Sequence, residues 1–124
     1  MIETGIDIVE ISRIRELIDT KGKLFINKIY TDKEIEYCEN RKSNKYQSYA
    51  VRFAAKEAIF KAISGNIPPK VHHLWKNIEI TNTESGKPQA RLNFEVKNLK
   101  ELKISLSHTK EYAAAVSMVE FEEK

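Results

Sequence analysis

The stretch Arg52-Phe-Ala-Ala-Lys-Glu-Ala-Ile-Phe-Lys-Ala62 has the composition of a strong helix, but charged side chains interrupt its apolar surface. At about 100° per residue, Glu57 and Lys61 lie within about 40° of each other on this helix. Ala50 and Ala54 share their stripe. The helix is therefore apolar around most of its girth, which is typical of a helix packed against other elements.

The simplest interpretation of Glu57 and Lys61 is an ordinary ion pair on a partly exposed helix, contributing only ~0.3–0.5 kcal/mol. Periodicity alone favours it. Two observations favour a functional pair: the neighbouring alanines leave space beside the charges, and Asp7 lies within a predicted strand, where aspartate is disfavoured. Two carboxylates in one cleft would suit Mg²⁺, which binds one or two carboxylates together with waters and phosphate oxygens. The pattern leaves open whether Asp7 and Glu57 meet.

The sequence on either side of this helix predicts an α+β fold. Before it, we expect a strand over 2–9, a helix over 13–20 with Ser12 as N-cap, and a helix over 32–41 that starts with the Thr31–Glu34 capping box. The central helix should run over 45–63 and stop near Ser64-Gly65. After it, we expect strands over 77–82, 89–94, 103–107 and 112–119, with a short helix or loop over 95–101. These elements predict helices packed on a largely antiparallel sheet, in one domain over residues 1–124.

Composition excludes few functions, but it indicates which partners and which cellular compartment fit the chain. Of 124 residues, 41% are hydrophobic and 31% are charged, and the net charge is only +3. The basic residues form no block, which argues against a general nucleic-acid binder and leaves room for a small basic patch facing an acidic protein. The single cysteine, Cys38, excludes an internal disulfide and is interpreted as a semi-buried thiol. Without a signal-peptide pattern or a membrane-spanning apolar run, we expect a cytoplasmic protein.

Three motifs, in this order and over essentially the whole chain, resemble the holo-[acyl-carrier-protein] synthases, the short bacterial-type 4′-phosphopantetheinyl transferases. They are Gly-Ile-Asp-Ile-Val at 5–9, Arg-Phe-Ala-Ala-Lys-Glu-Ala at 52–58 with Lys61, and Ser-Leu-Ser-His-Thr-Lys-Glu-Tyr-Ala at 105–113. The resemblance implies transfer of 4′-phosphopantetheine from coenzyme A to a serine of acyl carrier protein. Adenosine 3′,5′-bisphosphate would be released, and the reaction would serve fatty acid biosynthesis. It also implies a homotrimer with active sites at subunit interfaces.

The resemblance also gives roles to individual residues. It makes Asp7 and Glu57 the Mg²⁺ ligands and adds Lys61, near the pyrophosphate, to the catalytic set. The positions that it gives to coenzyme A are Arg52, Lys61, Gly65, Pro88, His108 and Thr109. Among these, Arg52 and His108 belong to the 3′-phosphate end, and the Gly86-Lys87-Pro88 turn lies near the adenine. The acceptor of the serine proton is left open between Glu57, a water on the metal, and no base at all.

The first predicted helix carries the residues expected to dock the acidic carrier protein. Arg13 is the best match to the basic positions of the family, and Arg15 and Lys21 are possible additions. The alternative interpretation of all three is a set of solvated surface charges. In the same way, His108 could be a plain turn residue, and Ser105, Ser107 and Thr109 plain strand and turn residues.

Two other functions are weighed against the transferase. His72-His73 could suggest a metal site, but adjacent residues of a strand point to opposite faces. A small module that binds nucleic acid or a nucleotide without catalysis could use Tyr46, Tyr49 and Trp75 as stacking surfaces. The sequence therefore favours the transferase, and we expect no nucleic-acid or membrane partner.

Overall fold

The computed structural model describes residues 1–68 and 75–123, and within them it has the predicted α+β architecture. The helices are α1 (Ile11–Lys21), α2 (Lys23–Ile29), α3 (Asp32–Asn40) and α4 (Lys45–Ile63). The strands are β1 (Ile2–Glu10), β2 (Ile78–Asn82), β3 (Pro88–Leu92), β4 (Leu99–His108) and β5 (Tyr112–Phe121). Short 3-10 turns occupy Lys42–Asn44, Ser64–Asn66 and Trp75–Asn77. His72-His73, which the sequence disfavours as a metal site, lies outside the described residues.

The strands form two antiparallel sheets. β5 lies at the centre of a three-stranded sheet in the order β1-β5-β4, and β2 pairs with β3 in a separate two-stranded hairpin. Helix α4 lies across one face of the three-stranded sheet, and its small side chains form much of the core between them. As the sequence predicts, this helix is buried on most sides. None of the described helices is both long and apolar enough to cross a membrane.

At Gly5, β1 lies directly against the backbone of α4. A Cβ built on Gly5 would lie 1.9 Å from the backbone oxygen of Ala58 and 3.0 Å from the Oγ of Ser117. Ser117, the β5 partner of Gly5, donates a 2.8 Å hydrogen bond to the same Ala58 oxygen. Because Gly5 has no side chain, the sheet contacts the helix backbone directly. This contact sets the position of Asp7, two residues further along β1, relative to α4.

The opposite face of this sheet is apolar and open. Ile6 and Ile8 are 69% and 66% exposed, because the side of β1 that faces α4 carries Gly5, Asp7 and Val9 instead. We call the exposed apolar residues of this face the open sheet face: Ile2, Ile6, Ile8, Val116 and Met118. No element of the described chain covers it.

In the first 40 residues one local prediction is wrong, one helix was not predicted, and one prediction is confirmed. Ser12 does not cap α1, because the helix begins at Ile11 directly after β1 and the Ile11 N–H donates to the carbonyl of Glu111 across the fold. The sequence reading also missed α2, whose seven residues are too few for a clear helical period. The capping box is confirmed: the Glu34 N–H donates to the Thr31 hydroxyl, and the Thr31 N–H donates to the Glu34 carboxylate.

Residues 95–101 were expected as a short helix or loop, and they are in part the start of a strand. β4 begins at Leu99, and its register against β5 is irregular between Leu99 and Glu101. This irregularity breaks the alternation of side chains at the point where the sequence pattern is weakest.

Candidate active site

Asp7, Glu57 and Lys61 come together where β1 crosses α4. The Lys61 ammonium donates to the Oδ1 of Asp7 at 3.2 Å and to the Ile6 carbonyl at 2.9 Å. Glu57 lies one helical turn before Lys61 and is half-buried. Burial raises the pKa of its carboxyl, the negative charge of Asp7 raises the pKa further, and Lys61 opposes both. The structure therefore places two mutually repelling carboxylates and one ammonium in a single cluster.

The donor chemistry of this cluster fits one hard divalent cation. Within residues 1–68 and 75–123, no group of three or more histidine, cysteine, aspartate or glutamate side chains is placed to hold a metal ion. A fully protein-built metal cage is therefore not found there. Mg²⁺ does not need one, since it is usually held by one or two carboxylates and completed by substrate phosphates and water. A cation between Asp7 and Glu57 would also relieve the repulsion that raises the pKa of Glu57.

A second site lies on another side of α4, in a cavity of about 240 Å³. Three of the residues expected at coenzyme A line it: Arg52, Pro88 and His108. Tyr37, Arg41 and Asn82 also line it, and none of its described lining residues is acidic. Two guanidinium groups and an imidazole around a cavity without carboxylates form a surface suited to an anion.

Within residues 1–68 and 75–123, Arg52 is held in this cavity without a carboxylate partner. It is only 4% exposed, its Nη2 donates to the Oδ1 of Asn82 at 3.1 Å, and its Nη1 donates to the Ser48 carbonyl at 3.5 Å. Its guanidinium carbon lies 4.2 Å from the centre of the Tyr37 ring. The Nε atom is buried and has no hydrogen-bond partner among the described residues. Arg52 is thus fixed in place by neutral groups, and its positive charge is not compensated by a carboxylate of the described chain.

The sequence reading missed Tyr37, Arg41 and Asn82. Arg41 is the C-cap residue of α3, four residues after Tyr37, and its guanidinium lies 5.7 Å from the centre of the Tyr37 ring, a pairing that helical spacing could have predicted. No sequence pattern predicts that Tyr37 and Arg41 lie near Arg52 or Asn82. Arg52 and Asn82 belong to other elements than α3, and these elements come together only in the folded chain.

Two other residues expected at coenzyme A lie outside this cavity. Gly65 is exposed in the 3-10 turn after α4, four residues beyond Lys61. Thr109 lies in the turn between β4 and β5, where its Oγ1 accepts hydrogen bonds from the N–H groups of Glu111 and Tyr112. The Thr109 hydroxyl therefore stabilises the turn that follows His108.

The two sites face away from each other within one chain. Arg52 and Lys61 are nine residues apart on α4, which places them about half a turn apart around the helix and about 13.5 Å apart along it. The body of α4, buried against the sheet, lies between them. A single small ligand cannot contact both residues of the same chain without wrapping around the helix.

The basic residues of α1 are exposed as expected. Arg15 is partly engaged, with its Nε 3.7 Å from the carboxylate of Asp19 and its guanidinium 5.0 Å from the centre of the Tyr46 ring. No such contact is found for Arg13 or Lys21 within the described part of the chain. Leu24, which follows α1 on α2, is 83% exposed, an apolar neighbour of this basic surface that the sequence reading did not single out.

The side chains that supported a nucleic-acid module all make contacts within the chain. Tyr49 is fully buried and donates its hydroxyl to Glu39, and Tyr46 donates its hydroxyl to Asp19. Trp75 packs against the rings of Phe53 and Phe60. These rings do not form an exposed stacking surface, which removes the main support for that alternative.

Cys38 is also excluded as a reactive group. Its side chain is fully buried, and burial raises the pKa of its thiol to about 12. A thiol with such a pKa is a poor nucleophile at neutral pH, so Cys38 is a packing residue.

Comparison with known proteins places this geometry in a family. Residues 3–117 match the 4′-phosphopantetheinyl transferase superfamily. The holo-[acyl-carrier-protein] synthase of Chloroherpeton thalassium is 45% identical over 120 residues, which cover 95% of this chain and 97% of that protein. The solved holo-(acyl-carrier-protein) synthase from Bacillus anthracis in complex with CoA (3′,5′-ADP) has a TM-score of 0.79 at 33% identity, over 97% of this chain and 96% of that one.

A second solved relative agrees with this result. The holo-[acyl-carrier-protein] synthase of Helicobacter pylori, in complex with coenzyme A, has a TM-score of 0.80 at 32% identity, over 94% of this chain and 99% of that one. Both the sequence match and the structural match extend over nearly the full length of the chain. The chain belongs to the 4′-phosphopantetheinyl transferase superfamily, among the holo-[acyl-carrier-protein] synthases.

Proposed function

We propose that this enzyme transfers the 4′-phosphopantetheine group of coenzyme A to a serine of apo acyl carrier protein, in a Mg²⁺-dependent reaction that releases adenosine 3′,5′-bisphosphate and serves fatty acid biosynthesis. The observation that carries the proposal is the cluster of Asp7, Glu57 and Lys61 at the contact between β1 and α4. The acid-free cavity around Arg52 supports a polyanionic substrate. A cytoplasmic location fits a chain with one buried cysteine and no need for a disulfide.

The reaction breaks one phosphoanhydride bond and forms one phosphodiester bond. The serine oxygen of the carrier attacks the phosphorus that bears the pantetheine arm, and the bond from this phosphorus to the bridging oxygen breaks. Negative charge grows on the departing phosphate. Mg²⁺ held by Asp7 and Glu57 would offset that charge.

Lys61 supplies the positive charge that the protein itself brings to this step. Its ammonium is tied to Asp7 and to the Ile6 carbonyl, so it is already in place before a pyrophosphate enters. A preorganised cation of this kind needs little reorganisation when charge develops on the leaving group. Because the nucleophile belongs to the carrier protein, the chain needs no serine–histidine–aspartate set of its own. The acceptor of the serine proton stays open.

The 3′-phosphate of coenzyme A is the ligand that we propose for Arg52 and His108, with Pro88 near the adenine. Arg52→Ala and His108→Ala are expected to shrink the preference for coenzyme A over dephospho-coenzyme A, which lacks that phosphate, by about tenfold each. The measurement is the ratio of kcat/KM for the two substrates. Lys110→Ala, an exposed change in the turn that follows His108, is the control. An unchanged ratio in both variants would remove the two residues from this role.

We further propose a homotrimer in which each active site draws on two chains. Within one chain, the Asp7 cluster and the Arg52 cavity face away from each other, so one coenzyme A molecule can contact both types of site only if they come from different copies. The open sheet face supports this arrangement. Its residues Ile6 and Ile8 alternate with Asp7 along β1, which is an edge strand of the sheet, so a second copy that covers this face and the free edge of β1 would come next to the Asp7 cluster.

The trimer predicts a defined effect of a charge on the open sheet face. Ile6→Glu would bury an unpaired carboxylate between copies, so the sedimenting mass should fall from three times the 14.4 kDa of one chain towards a single chain. Transfer activity should fall with it. Leu24→Glu, an equally drastic change at an exposed leucine of α2, should leave the mass unchanged. A wild type that sediments as a single chain at micromolar concentration would contradict the trimer.

The basic surface of α1 is proposed to dock the acidic carrier protein. Arg13→Glu is expected to raise the KM for the carrier by about 10- to 100-fold and to leave the KM for coenzyme A nearly unchanged, because it brings like charges face to face. Added salt should weaken the wild type as well, since such pairs are screened over about 8–10 Å. Arg91→Glu, the same charge change at an exposed position of β3, serves as the control. Equal KM values for the carrier at low ionic strength would contradict docking at Arg13.

The transfer reaction itself has a direct test. Incubation of the enzyme with coenzyme A, Mg²⁺ and apo acyl carrier protein should increase the mass of the carrier by one phosphopantetheine. A protein that only binds the nucleotide would leave the carrier mass unchanged. That result would overturn the proposed function and would leave the family membership standing.

A further inference from the structure

A carboxylate and an ammonium are buried together between α3 and α4, away from the Asp7 cluster. The Nζ of Lys56 lies 2.8 Å from the Oε1 of Glu34, and both side chains are 0% exposed. Removing two charges from water is costly, and such a pair is weak evidence for stability by itself. A contribution to stability alone therefore does not explain why the two charges are buried together in this fold.

Both members of the pair bind the backbone that leads into β2. The Oε2 of Glu34 accepts a 2.7 Å hydrogen bond from the Ile80 N–H, while its Oε1 closes the capping box of α3. The Lys56 ammonium donates to the carbonyl of Trp75 at 2.6 Å and to the carbonyl of Ile78. The pair therefore uses three backbone groups between residues 75 and 80 to tie this segment to two helices.

This segment begins the β2–β3 hairpin, which forms one wall of the cavity around Arg52. Among the described strands, these two pair only with each other, so their position is not fixed by the hydrogen-bond ladder of the three-stranded sheet. Ile78 and Ile80 are buried in the core, but apolar contacts are non-directional. The hydrogen bonds that Glu34 accepts from this backbone and that Lys56 donates to it are directional, so they set the orientation that the apolar contacts leave undetermined.

The far end of the same hairpin carries the groups that meet Arg52. Asn82, the last residue of β2, accepts the hydrogen bond from Arg52 and is paired in register with Pro88. Arg52 and Lys56 are one helical turn apart on α4, so they contact the hairpin from the same side of the helix. Lys56 holds the base of β2, and Arg52 contacts its end. A shift at the base therefore moves Asn82 and Pro88 relative to Arg52.

We propose that Glu34 and Lys56 are positioning residues for the nucleotide end of coenzyme A, which rests on the function proposed above. They contact neither substrate nor metal. They hold the β2–β3 hairpin at the distance from α4 at which Asn82 fixes Arg52 and Pro88 closes the cavity. The pair thus determines the affinity for coenzyme A and its discrimination from dephospho-coenzyme A, while Asp7, Glu57 and Lys61 determine the rate of transfer.

The test compares three variants: Glu34→Gln, Lys56→Met, and the double variant Glu34→Gln/Lys56→Met. The KM for coenzyme A should rise by at least about tenfold, because small displacements of positioning groups are costly, whereas kcat should stay within about threefold of the wild type. The KM for dephospho-coenzyme A should change little, so the discrimination shrinks. Hydrogen exchange of the backbone amides of residues 78–92 should speed up in the same variants.

The double variant keeps the test decisive if a single variant does not fold. A single change leaves one buried charge unpaired, which is strongly destabilising, whereas the double change removes both charges. Lys45→Met is the matched control. It deletes the ion pair of Lys45 with Glu39, which also joins α3 to α4 but has no contact with the hairpin. In this control, the KM for coenzyme A and the exchange of residues 78–92 should both stay at wild-type values.

Two results would overturn the proposal. One is a folded double variant with the wild-type KM for coenzyme A and wild-type exchange in residues 78–92. The other is a fall in kcat at constant KM, which would place the pair in catalysis or in general stability instead. Failure of the proposed function gives a different result, because the wild type then leaves the carrier mass unchanged. In that case the exchange measurement still decides whether the pair positions the hairpin.

Discussion

Asp7→Asn or Glu57→Gln is expected to lower the transfer rate about a hundredfold to a thousandfold, with the fold intact. Each change keeps the shape of the side chain and removes the negative charge that would hold Mg²⁺. A metal that offsets charge in the transition state is worth several kcal/mol, and each 1.36 kcal/mol is about tenfold in rate. Both side chains are only partly buried and lie outside the hydrophobic core, so the free energy of unfolding should change little. The measurement is single-turnover transfer at limiting Mg²⁺.

Glu3→Gln is the matched control for this prediction. Glu3 lies on the same strand and the same side of β1 as Asp7, but it is exposed and four residues away from the cluster. Its loss of charge should leave the rate and its Mg²⁺ dependence unchanged. A second readout is the shift in unfolding temperature that Mg²⁺ and coenzyme A together produce, which should shrink in Asp7→Asn and Glu57→Gln. If both of these isosteres kept the wild-type rate at limiting Mg²⁺, Asp7 and Glu57 would not be the metal ligands.

The central helix was predicted well from the sequence because its formation and burial both depend on one property, its apolar surface. Residues 52–62 are apolar around most of the helix, and α4 is accordingly buried on most sides. The alternation of β1 also predicted a strand correctly, but it did not reveal which side is buried. The isoleucine side faces solvent in a single chain, and the side with Gly5 and Asp7 faces α4. A sequence pattern records apolarity but not which partner covers it.

The site could be predicted only where its residues lie in recognisable motifs. Asp7, Glu57 and Lys61 form one cluster, as the motifs imply, although their roles stay predictions. The neutral groups that hold Arg52 were missed, because Tyr37 and Asn82 are far from it in the sequence and their residue types are ordinary. Such contacts depend on how the hairpin and α3 pack on α4, which local pattern does not encode.

Gly5→Ala is expected to have the largest effect on folding. Replacement of glycine by alanine inside a strand ordinarily stabilises by roughly 0.5–1 kcal/mol, so local propensity predicts a gain. The geometry predicts the opposite, because the new Cβ would lie 1.9 Å from the Ala58 oxygen and 2.9 Å from its carbonyl carbon. The obstacle is helix backbone, which cannot rotate away as a side chain can. Relief requires α4 to move off the sheet, at a cost of about 3 kcal/mol or more out of a total of about 5–15 kcal/mol.

Gly65→Ala and Ser117→Ala separate this clash from other effects in urea unfolding. A Cβ on Gly65 meets nothing within 4 Å, so Gly65→Ala should be neutral or slightly stabilising. Ser117→Ala removes the hydrogen bond to Ala58 without adding an atom, and it should cost only about 1 kcal/mol. Gly5→Ala should lose far more than either, and any folded fraction should transfer slowly, because Asp7 moves with Gly5 relative to α4. Stability within about 0.5 kcal/mol of the wild type would mean that the sheet and helix can separate here at little cost, and that this contact does not set the position of Asp7.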